Sequence, residues 1–243
     1  MEPIIKYQDV KKVYGEKTIV EHFNLSIEKG EFLTIIGSSG SGKTTILKMV
    51  NGLIIPDEGT VFVEGKDILK EDLIQLRRNI GYAIQGSVLF PNMTVEKNIA
   101  YVPNLLNDKK EKTNQAVQKW IRIAGLEEEL LNRYPDELSG GQQQRVGIAR
   151  ALAASPEILL MDEPFGAVDE ITRGELQREI KRIHEETNIT ILFVTHDINE
   201  AMTLGSKVLV MNAGAIDQYG TPEEIMSLPK TDFVRKLVAN SRK

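Results

Sequence analysis

The chain has 243 residues, of which 41% are hydrophobic, and its 30 basic and 35 acidic side chains give a formal net charge of −5. These values suit one large or two modest globular domains, and they exclude disordered and collagen-like chains and the strongly basic class of nucleic-acid binders. The absence of cysteine excludes disulfides, thiolate metal sites and thiol nucleophiles.

The N-terminus, Met1 to Lys6, shows no apolar segment of the kind that a secretory signal requires. We therefore expect the protein to stay in the cytoplasm. Apolar runs such as Ile158–Met161 and Ile191–Val194 are far shorter than the roughly 20 residues that cross a bilayer. Any membrane role is expected to depend on a partner.

Short strand-like segments separated by turn residues fill the first part of the chain. They predict an N-terminal antiparallel β layer. The candidate strands are Ile4–Tyr7, Val10–Tyr14, Thr18–Val20, Leu25–Ile27 and, further along, Thr60–Val63.

A glycine-rich segment follows the apolar strand Phe32–Ile36 and precedes a helical pattern. It consists of Gly37, Ser38, Ser39, Gly40, Ser41, Gly42, Lys43, Thr44 and Thr45. The first eight residues match the pattern G-x-x-x-x-G-K-[ST] in the strand-loop-helix setting of a nucleotide-binding loop. Backbone N–H groups would surround phosphate oxygens, Lys43 would reach the β- and γ-phosphates, and the Thr44 hydroxyl would bind Mg²⁺. The alternative is a glycine-rich turn with a solvated lysine.

The next strand, Ile80–Ile84, ends at Gln85 and is followed by the apolar loop Gly86–Pro91. An exposed apolar loop indicates a surface that another molecule covers, and the alternative is a partly buried loop. From about residue 91 to 152 the pattern is helical, which predicts a helical subdomain without strands.

A second glycine segment, Leu138–Gln142, closes this helical stretch and begins a further helix. Ser139 and Gln142 predict a capping box. Gly140 and Gly141 in the first helical turn are unfavourable by about 1 kcal/mol each relative to alanine, so a close contact with another molecule is expected to offset them. The alternative is a plain capped helix.

With both glycine segments, the chain resembles the ATP-binding subunit of an ABC transporter, and Leu138–Gln142 is similar to the signature motif of that family. The resemblance implies an α/β fold of the P-loop NTPase class over residues 1–243. The N-terminal antiparallel β layer and a RecA-like parallel-sheet core would occupy about residues 1–90 and 153–243, and the helical subdomain about 91–152. In this family two copies dimerise head to tail, so Ser139, Gly140, Gly141 and Gln142 of one copy would contact ATP in the phosphate loop of the other.

Strand Ile158–Met161 ends in two acids, Asp162 and Glu163. Asp162 at the strand end suits Mg²⁺, which prefers oxygen ligands, and the alternative is an exposed acidic pair in a loop. The resemblance assigns Glu163 as the general base that activates the attacking water. Beyond it, helix Arg173–Glu186 between strands predicts βαβ units.

Two further residues take catalytic roles by the same resemblance. His196 follows strand Ile189–Thr195 and would contact the γ-phosphate. Gln85 would touch Mg²⁺ and water, and the loop after it would contact the coupling helix of a membrane subunit. Taken alone, a histidine at the end of a strand is usually a surface or hydrogen-bonded residue, which is the alternative interpretation of His196.

Asp169 matches the D-loop of the family, although Gly166 stands where many members have serine. Tyr14 stands where the family stacks an aromatic ring on adenine, and the alternative is a tyrosine in a cross-strand pair. Near the C-terminus, Thr221–Glu224 predicts a capping box that begins a short final helix.

The resemblance implies an ATPase that uses ATP and Mg²⁺ to power an importer. Its partners would be a second copy, a transmembrane permease at the cytoplasmic face of the membrane and, indirectly, a solute-binding protein, with no nucleic acid expected. The segment Phe165–Arg173 is most similar to subunits that serve quaternary-amine osmoprotectants such as glycine betaine, choline or carnitine. The alternatives are an importer of another small polar solute such as an amino acid, nitrate or sulfonate, a nucleic-acid-linked ABC ATPase, and a soluble P-loop kinase.

Overall fold

The structure, a computed structural model, describes residues 2–84, 89–166 and 168–241. Its strands are β1 (Ile5–Tyr14), β2 (Lys17–Ile27), β3 (Phe32–Gly37), β4 (Glu58–Val63), β5 (Lys66–Asp67), β6 (Ile80–Ala83), β7 (Ile158–Asp162), β8 (Thr190–Val194), β9 (Lys207–Asn212) and β10 (Ala215–Gly220). Its α-helices are α1 (Lys43–Val50), α2 (Leu73–Asn79), α3 (Val95–Ile99), α4 (Tyr101–Leu105), α5 (Lys110–Ile123), α6 (Gly140–Leu152), α7 (Glu170–Thr187), α8 (Ile198–Leu204), α9 (Pro222–Ser227) and α10 (Asp232–Ser241). Two short 3-10 helices, Glu128–Asn132 and Pro135–Glu137, precede α6.

The chain divides into two compact units. The first combines residues 1–77 with residues 188–243, and the second consists of residues 78–187.

The antiparallel sheet of the first unit has the strand order β2-β1-β4-β5. In its register Ile5 pairs with Ile27 on one side and with Val63 on the other. This confirms the predicted N-terminal β layer. The first four predicted strands fall, however, in two long strands, β1 and β2, because β1 continues through a register shift between Tyr7 and Val10, where Asp9 has a φ of 50°. A bulge of this kind absorbs an extra residue without ending the pairing.

The other strands of the first unit, β3, β8, β9 and β10, belong to a second, mainly parallel sheet. Strand β3 pairs in parallel with both β8 and β9, and β10 pairs antiparallel with β9. Residues 32–36 are all buried, as is typical of a parallel strand that is covered on both faces.

The C-terminal part of the first unit contains one helix more than the sequence predicts. Helix α9 begins with the predicted capping box at Thr221. The prediction that this helix is the final one is wrong, because α10 follows and buries Val234 and Val238 against Ile36 and Ile225. Burial of these apolar side chains explains why the last segment is helical.

In the second unit, β6 and β7 pair in parallel, with Ile80 opposite Ile158. Helix α5 buries Val117, Trp120 and Ile121 on one face, in agreement with the helical pattern. Among the described residues between 91 and 152 there is no strand, as predicted. In the parts of the chain that the structure describes, no helix combines the length and apolarity that crossing a membrane requires.

Candidate functional site

The phosphate loop leaves the C-terminal end of β3 along a path that requires glycine. At Gly37 a Cβ atom would lie 1.9 Å from the carbonyl oxygen of Met211. At Gly42 the φ angle is 96°, and a Cβ atom would lie 2.8 Å from Cγ1 of Val20. Both positions therefore exclude a side chain, which explains the two glycines that the motif requires.

Helix α1 presents an open N-terminus to this loop. Its N-cap residue, Gly42, has no side-chain cap, and its first turn contains no acidic residue. The positive end of the helix dipole therefore faces the loop with no acidic side chain of the first turn to offset it, which favours an anion there. The geometry favours the nucleotide-binding interpretation over a plain glycine-rich turn.

Two lysines supply positive charge at the loop. Nζ of Lys43 donates hydrogen bonds to the carbonyl oxygens of Gly37 and Ser38, each at 2.9 Å. Nζ of Lys17, which the sequence analysis missed, lies 3.9 Å from where a Cβ of Gly40 would be. The available signal was the position of Lys17 across the turn from Tyr14, but a single lysine in a turn matches no motif.

Tyr14, the last residue of β1, is 48% exposed. It pairs with Lys17 across the turn, and the Lys12 ammonium lies 5.4 Å from its ring centroid. The cross-strand pair of the alternative interpretation is therefore present, and so is an exposed ring surface. Stacking on adenine stays a prediction.

His196 lies at the same edge of the parallel sheet as the phosphate loop. Strands β3 and β8 are neighbours, and the Thr195 N–H donates to the carbonyl oxygen of Ile35 at 3.1 Å. Because the carboxyl ends of parallel strands share an edge, His196 and Gly37 follow adjacent strands into one region. The imidazole belongs to an exposed residue, as contact with a bound ligand requires.

In the second unit, the two acids occupy different environments at the end of β7. Asp162 is 5% exposed, whereas Glu163 is half-buried and has a φ of 45°. Burial raises the pKa of the Tyr82 hydroxyl above its usual range, and the negative charge of Asp162 contributes to the increase. A buried carboxylate beside an apolar strand is costly without a compensating cation, which fits the predicted Mg²⁺ ligand.

Gln85, the predicted Q-loop residue, lies outside the described residues, as do residues 86–88. The described end of the apolar loop is buried at Leu89 and half-buried at Phe90. The Phe90 N–H donates to Oδ1 of Asn98 at 2.8 Å, and its ring lies 4.5 Å from that of Tyr101. This part of the loop therefore agrees with the alternative of a partly buried loop.

The signature segment forms the predicted capping box at the start of α6. Oγ of Ser139 accepts from the Gln142 N–H at 3.2 Å, and Oε1 of Gln142 accepts from the Ser139 N–H at 2.9 Å. A Cβ atom on Gly140 would meet no other atom within 4 Å. Packing against the described chain therefore does not explain the glycine, and a plain capped helix would not need it.

Asp169 caps helix α7, since its Oδ1 accepts from the Thr172 N–H at 3.0 Å. This backbone hydrogen bond lowers the pKa of the Asp169 carboxyl below its usual range. The cap also explains why α7 begins at Glu170, three residues before the predicted start at Arg173. The role of Asp169 in nucleotide binding, which its match to the D-loop implies, stays a prediction.

Gly140→Ala separates the fold requirement at this position from a functional one. The open space around Gly140 accepts a methyl group, and alanine favours a helix over glycine, so we expect stability to stay equal or rise by up to about 1 kcal/mol. If another molecule approaches this backbone, ATP-dependent dimerisation should weaken at the same time. Thermal unfolding measures the stability, and light scattering in the presence of ATP measures the dimerisation. In the control, Gly42→Ala, the clash with Val20 should lower the stability instead.

Comparison with known proteins identifies the family. The family model described as ABC transporter matches residues 20–166. The glycine betaine/carnitine/choline transport ATP-binding protein OpuCA of Bacillus subtilis (strain 168) is 48% identical over 240 residues, which cover 98% of this chain and 63% of that protein. The chain thus spans less than two thirds of this relative. The glycine betaine uptake system ATP-binding protein YehX of Escherichia coli (strain K12) is 45% identical, with 98% of this chain and 77% of that protein covered.

Solved structures show the same relationship. A dimeric post-hydrolysis state of the ATP-binding cassette MJ0796, bound to ADP and Pi, matches with a TM-score of 0.83 and 35% identity, covering 90% of this chain and 98% of that one. The predicted α/β fold of the P-loop NTPase class is therefore confirmed. The phosphate loop, the signature turn and these matches together show that the chain belongs to the ABC transporter family, as one of its ATP-binding cassettes.

Proposed function

We propose that this chain is an ATPase that powers a membrane importer. The observation that carries the proposal is the glycine-dependent loop at the N-terminus of α1, where the helix dipole, the Lys43 ammonium on the loop carbonyls and the Lys17 ammonium near Gly40 suit the phosphates of ATP. The relatives OpuCA and YehX, whose names describe transport or uptake ATP-binding proteins, support coupling to transport.

In this proposal, the predicted site residues have separate roles in ATP hydrolysis. The phosphate loop binds ATP, and Glu163 accepts a proton from the attacking water. His196 holds the γ-phosphate by a hydrogen bond. The Thr44 hydroxyl and the buried Asp162 carboxylate are the groups that would hold Mg²⁺, together with Gln85, whose role the family resemblance implies. When bound, Mg²⁺ supplies positive charge that offsets the charge of the phosphates.

A second copy of the chain completes each site in this proposal. Ser139, Gly140, Gly141 and Gln142 of one copy contact the ATP that the phosphate loop of the other copy binds. The open space at Gly140 supports this arrangement, because it leaves backbone accessible to another molecule. The dimeric structures of the related cassette MJ0796, one of them with ADP and Pi, support it independently.

The proposed cargo is a quaternary-amine osmoprotectant of the glycine betaine, choline or carnitine type. Support comes from the similarity to OpuCA and YehX, whose names include these solutes. A transmembrane permease would carry the solute, and a solute-binding protein would deliver it. The chain would act at the cytoplasmic face of the membrane, bound to the permease.

Lys43→Ala tests the phosphate loop directly. It removes the ammonium that lies on the loop carbonyls, so we expect ATP affinity to fall about 10- to 100-fold, equivalent to one or two lost charge-assisted hydrogen bonds. A fluorescence titration with an ATP analogue measures the change. Lys48→Ala, which removes the same charge from the last turn of α1, should bind normally. An unchanged affinity of the Lys43 variant would contradict the assignment.

Transport itself is tested with the permease that co-purifies with this chain. Membrane vesicles containing the complex should take up labelled glycine betaine when ATP is present on the side of this chain, and the Lys43 variant should abolish the uptake. Competition by choline and carnitine would support the cargo class. Uptake of an amino acid, nitrate or a sulfonate instead would refute the cargo but not the transport function, whereas the absence of any permease would refute both.

A further inference from the structure

The turn that carries His196 is held on both sides by one hydroxyl group. Oγ1 of Thr195 donates to Oε2 of Glu200 at 2.5 Å and accepts from the Asp197 N–H at 3.0 Å. A hydroxyl has one proton and two lone pairs, so the proton is directed to the carboxylate while a lone pair accepts the N–H. The residues before and after His196 are thereby tied to the same oxygen atom.

Glu200 is a carboxylate at a buried position, which packing alone does not explain. It is 8% exposed, and Thr195 is 2% exposed. Burying a carboxylate is costly unless it makes strong hydrogen bonds, and those of charged acceptors are about twice as strong as neutral ones. Capping does not require this side chain either, because Oδ1 of Asp197 already accepts from the Asn199 N–H at 2.7 Å at the start of α8.

Helix α8, which carries Glu200, is in turn fixed to strand β3. Oγ1 of Thr34 in β3 donates to the carbonyl oxygen of Ala201 at 3.1 Å, and both residues are fully buried. The Thr195 N–H donates to the carbonyl oxygen of Ile35 in the same strand at 3.1 Å. Glu200 and the His196 turn therefore share one anchor, and that anchor is the strand that leads into the phosphate loop.

From this geometry we propose that Glu200 is a positioning residue for His196. Its carboxylate holds the Thr195 hydroxyl, and the hydroxyl holds the backbone on both sides of His196, so the imidazole starts from a fixed position beside the phosphate loop. The inference rests on the proposed function, in which His196 contacts the γ-phosphate. Pre-positioning of a hydrogen-bonding group acts on the chemical step, so the turnover number rather than the ATP affinity should depend on Glu200.

The first test removes each partner of the hydroxyl-carboxylate bond. Glu200→Ala and Thr195→Val should each lower kcat about tenfold, which corresponds to about 1.4 kcal/mol of transition-state stabilisation, and leave ATP affinity unchanged. Glu200→Gln keeps an acceptor and Thr195→Ser keeps the hydroxyl, so both should recover most of the turnover. A matched control is Thr231→Val, which removes a bond of 2.9 Å to Oδ2 of Asp217 in the same unit and should leave kcat unchanged.

A double-mutant cycle separates positioning from general stabilisation. If Glu200 acts through His196, then adding Glu200→Ala to His196→Ala should cause no further loss of turnover. A full tenfold loss in both backgrounds would overturn the inference, as would unchanged turnover of the single Glu200 variant. Unchanged turnover of His196→Ala alone would instead refute the proposed γ-phosphate contact, so the two failures are distinguishable.

An independent readout uses the small number of imidazoles. The chain has three histidines, His22, His184 and His196. In NMR spectra of the full chain, Glu200→Ala should shift or broaden the imidazole signals of His196 and leave those of His22 and His184 in place. Unchanged His196 signals in this variant would overturn the inference even if its turnover fell, because the loss would then not pass through His196.

Discussion

Replacing Glu163 by glutamine is expected to lower ATP turnover by about 10²- to 10⁴-fold without a loss of ATP affinity. Glutamine keeps the size and hydrogen-bonding reach of the side chain, but it cannot accept the proton of the attacking water. Because hydrolysis is blocked after binding, the ATP-bound dimer should accumulate. Steady-state phosphate release measures turnover, and sedimentation in ATP measures the dimer.

The control for this variant comes from elsewhere in the chain. Glu64 is an exposed glutamate with a φ of 52°, close to the 45° of Glu163. Glu64→Gln therefore makes the same charge change in the same left-handed backbone conformation, at a residue to which the proposal gives no role. It should leave turnover unchanged. Normal turnover of the Glu163 variant would refute the role of general base.

Features that depend on neighbouring residues could be predicted from the sequence. The phosphate loop is predictable because the glycines that let its backbone turn lie within a few residues of one another. The capping boxes at Ser139 and Thr221 each join residues three apart. The buried strands β3 and β7 are continuous apolar runs, which are typical of parallel sheets. Each of these signals is local, so no tertiary contact is needed to recognise it.

Features that depend on distant contacts could not be predicted. Strand β10 is polar at Asp217 and Gln218, and Gln218 is buried because its amide bonds the carbonyl oxygen of Leu228. The proximity of Lys17 to the phosphate loop depends on the turn between β1 and β2 reaching Gly40. The bond between Thr195 and Glu200 likewise depends on the angle at which α8 leaves its turn.

Ser139→Arg is expected to abolish the ATP-dependent dimer and to lower turnover more than 100-fold, while the chain still binds ATP. The substitution places a long cation in the exposed first turn of α6, where the proposal puts the phosphates and phosphate loop of the second copy. It also removes a helix cap, which costs about 1 kcal/mol of stability. Thr221→Arg controls for that loss, because Thr221 forms the same capping box at α9. The control should dimerise and turn over ATP normally.

Mixing two inactive variants tests whether the site is shared between copies. A Ser139→Arg chain keeps its phosphate loop, and a Lys43→Ala chain keeps its signature turn. In a head-to-tail dimer of one chain of each kind, the intact loop therefore faces the intact turn and forms one complete site. Such a mixed dimer has one complete site, whereas a dimer of either variant alone has none, so a mixture should regain turnover above that of each variant alone. If the loop and signature turn of the same chain instead formed the site, every chain in the mixture would carry a defect, and no turnover would return.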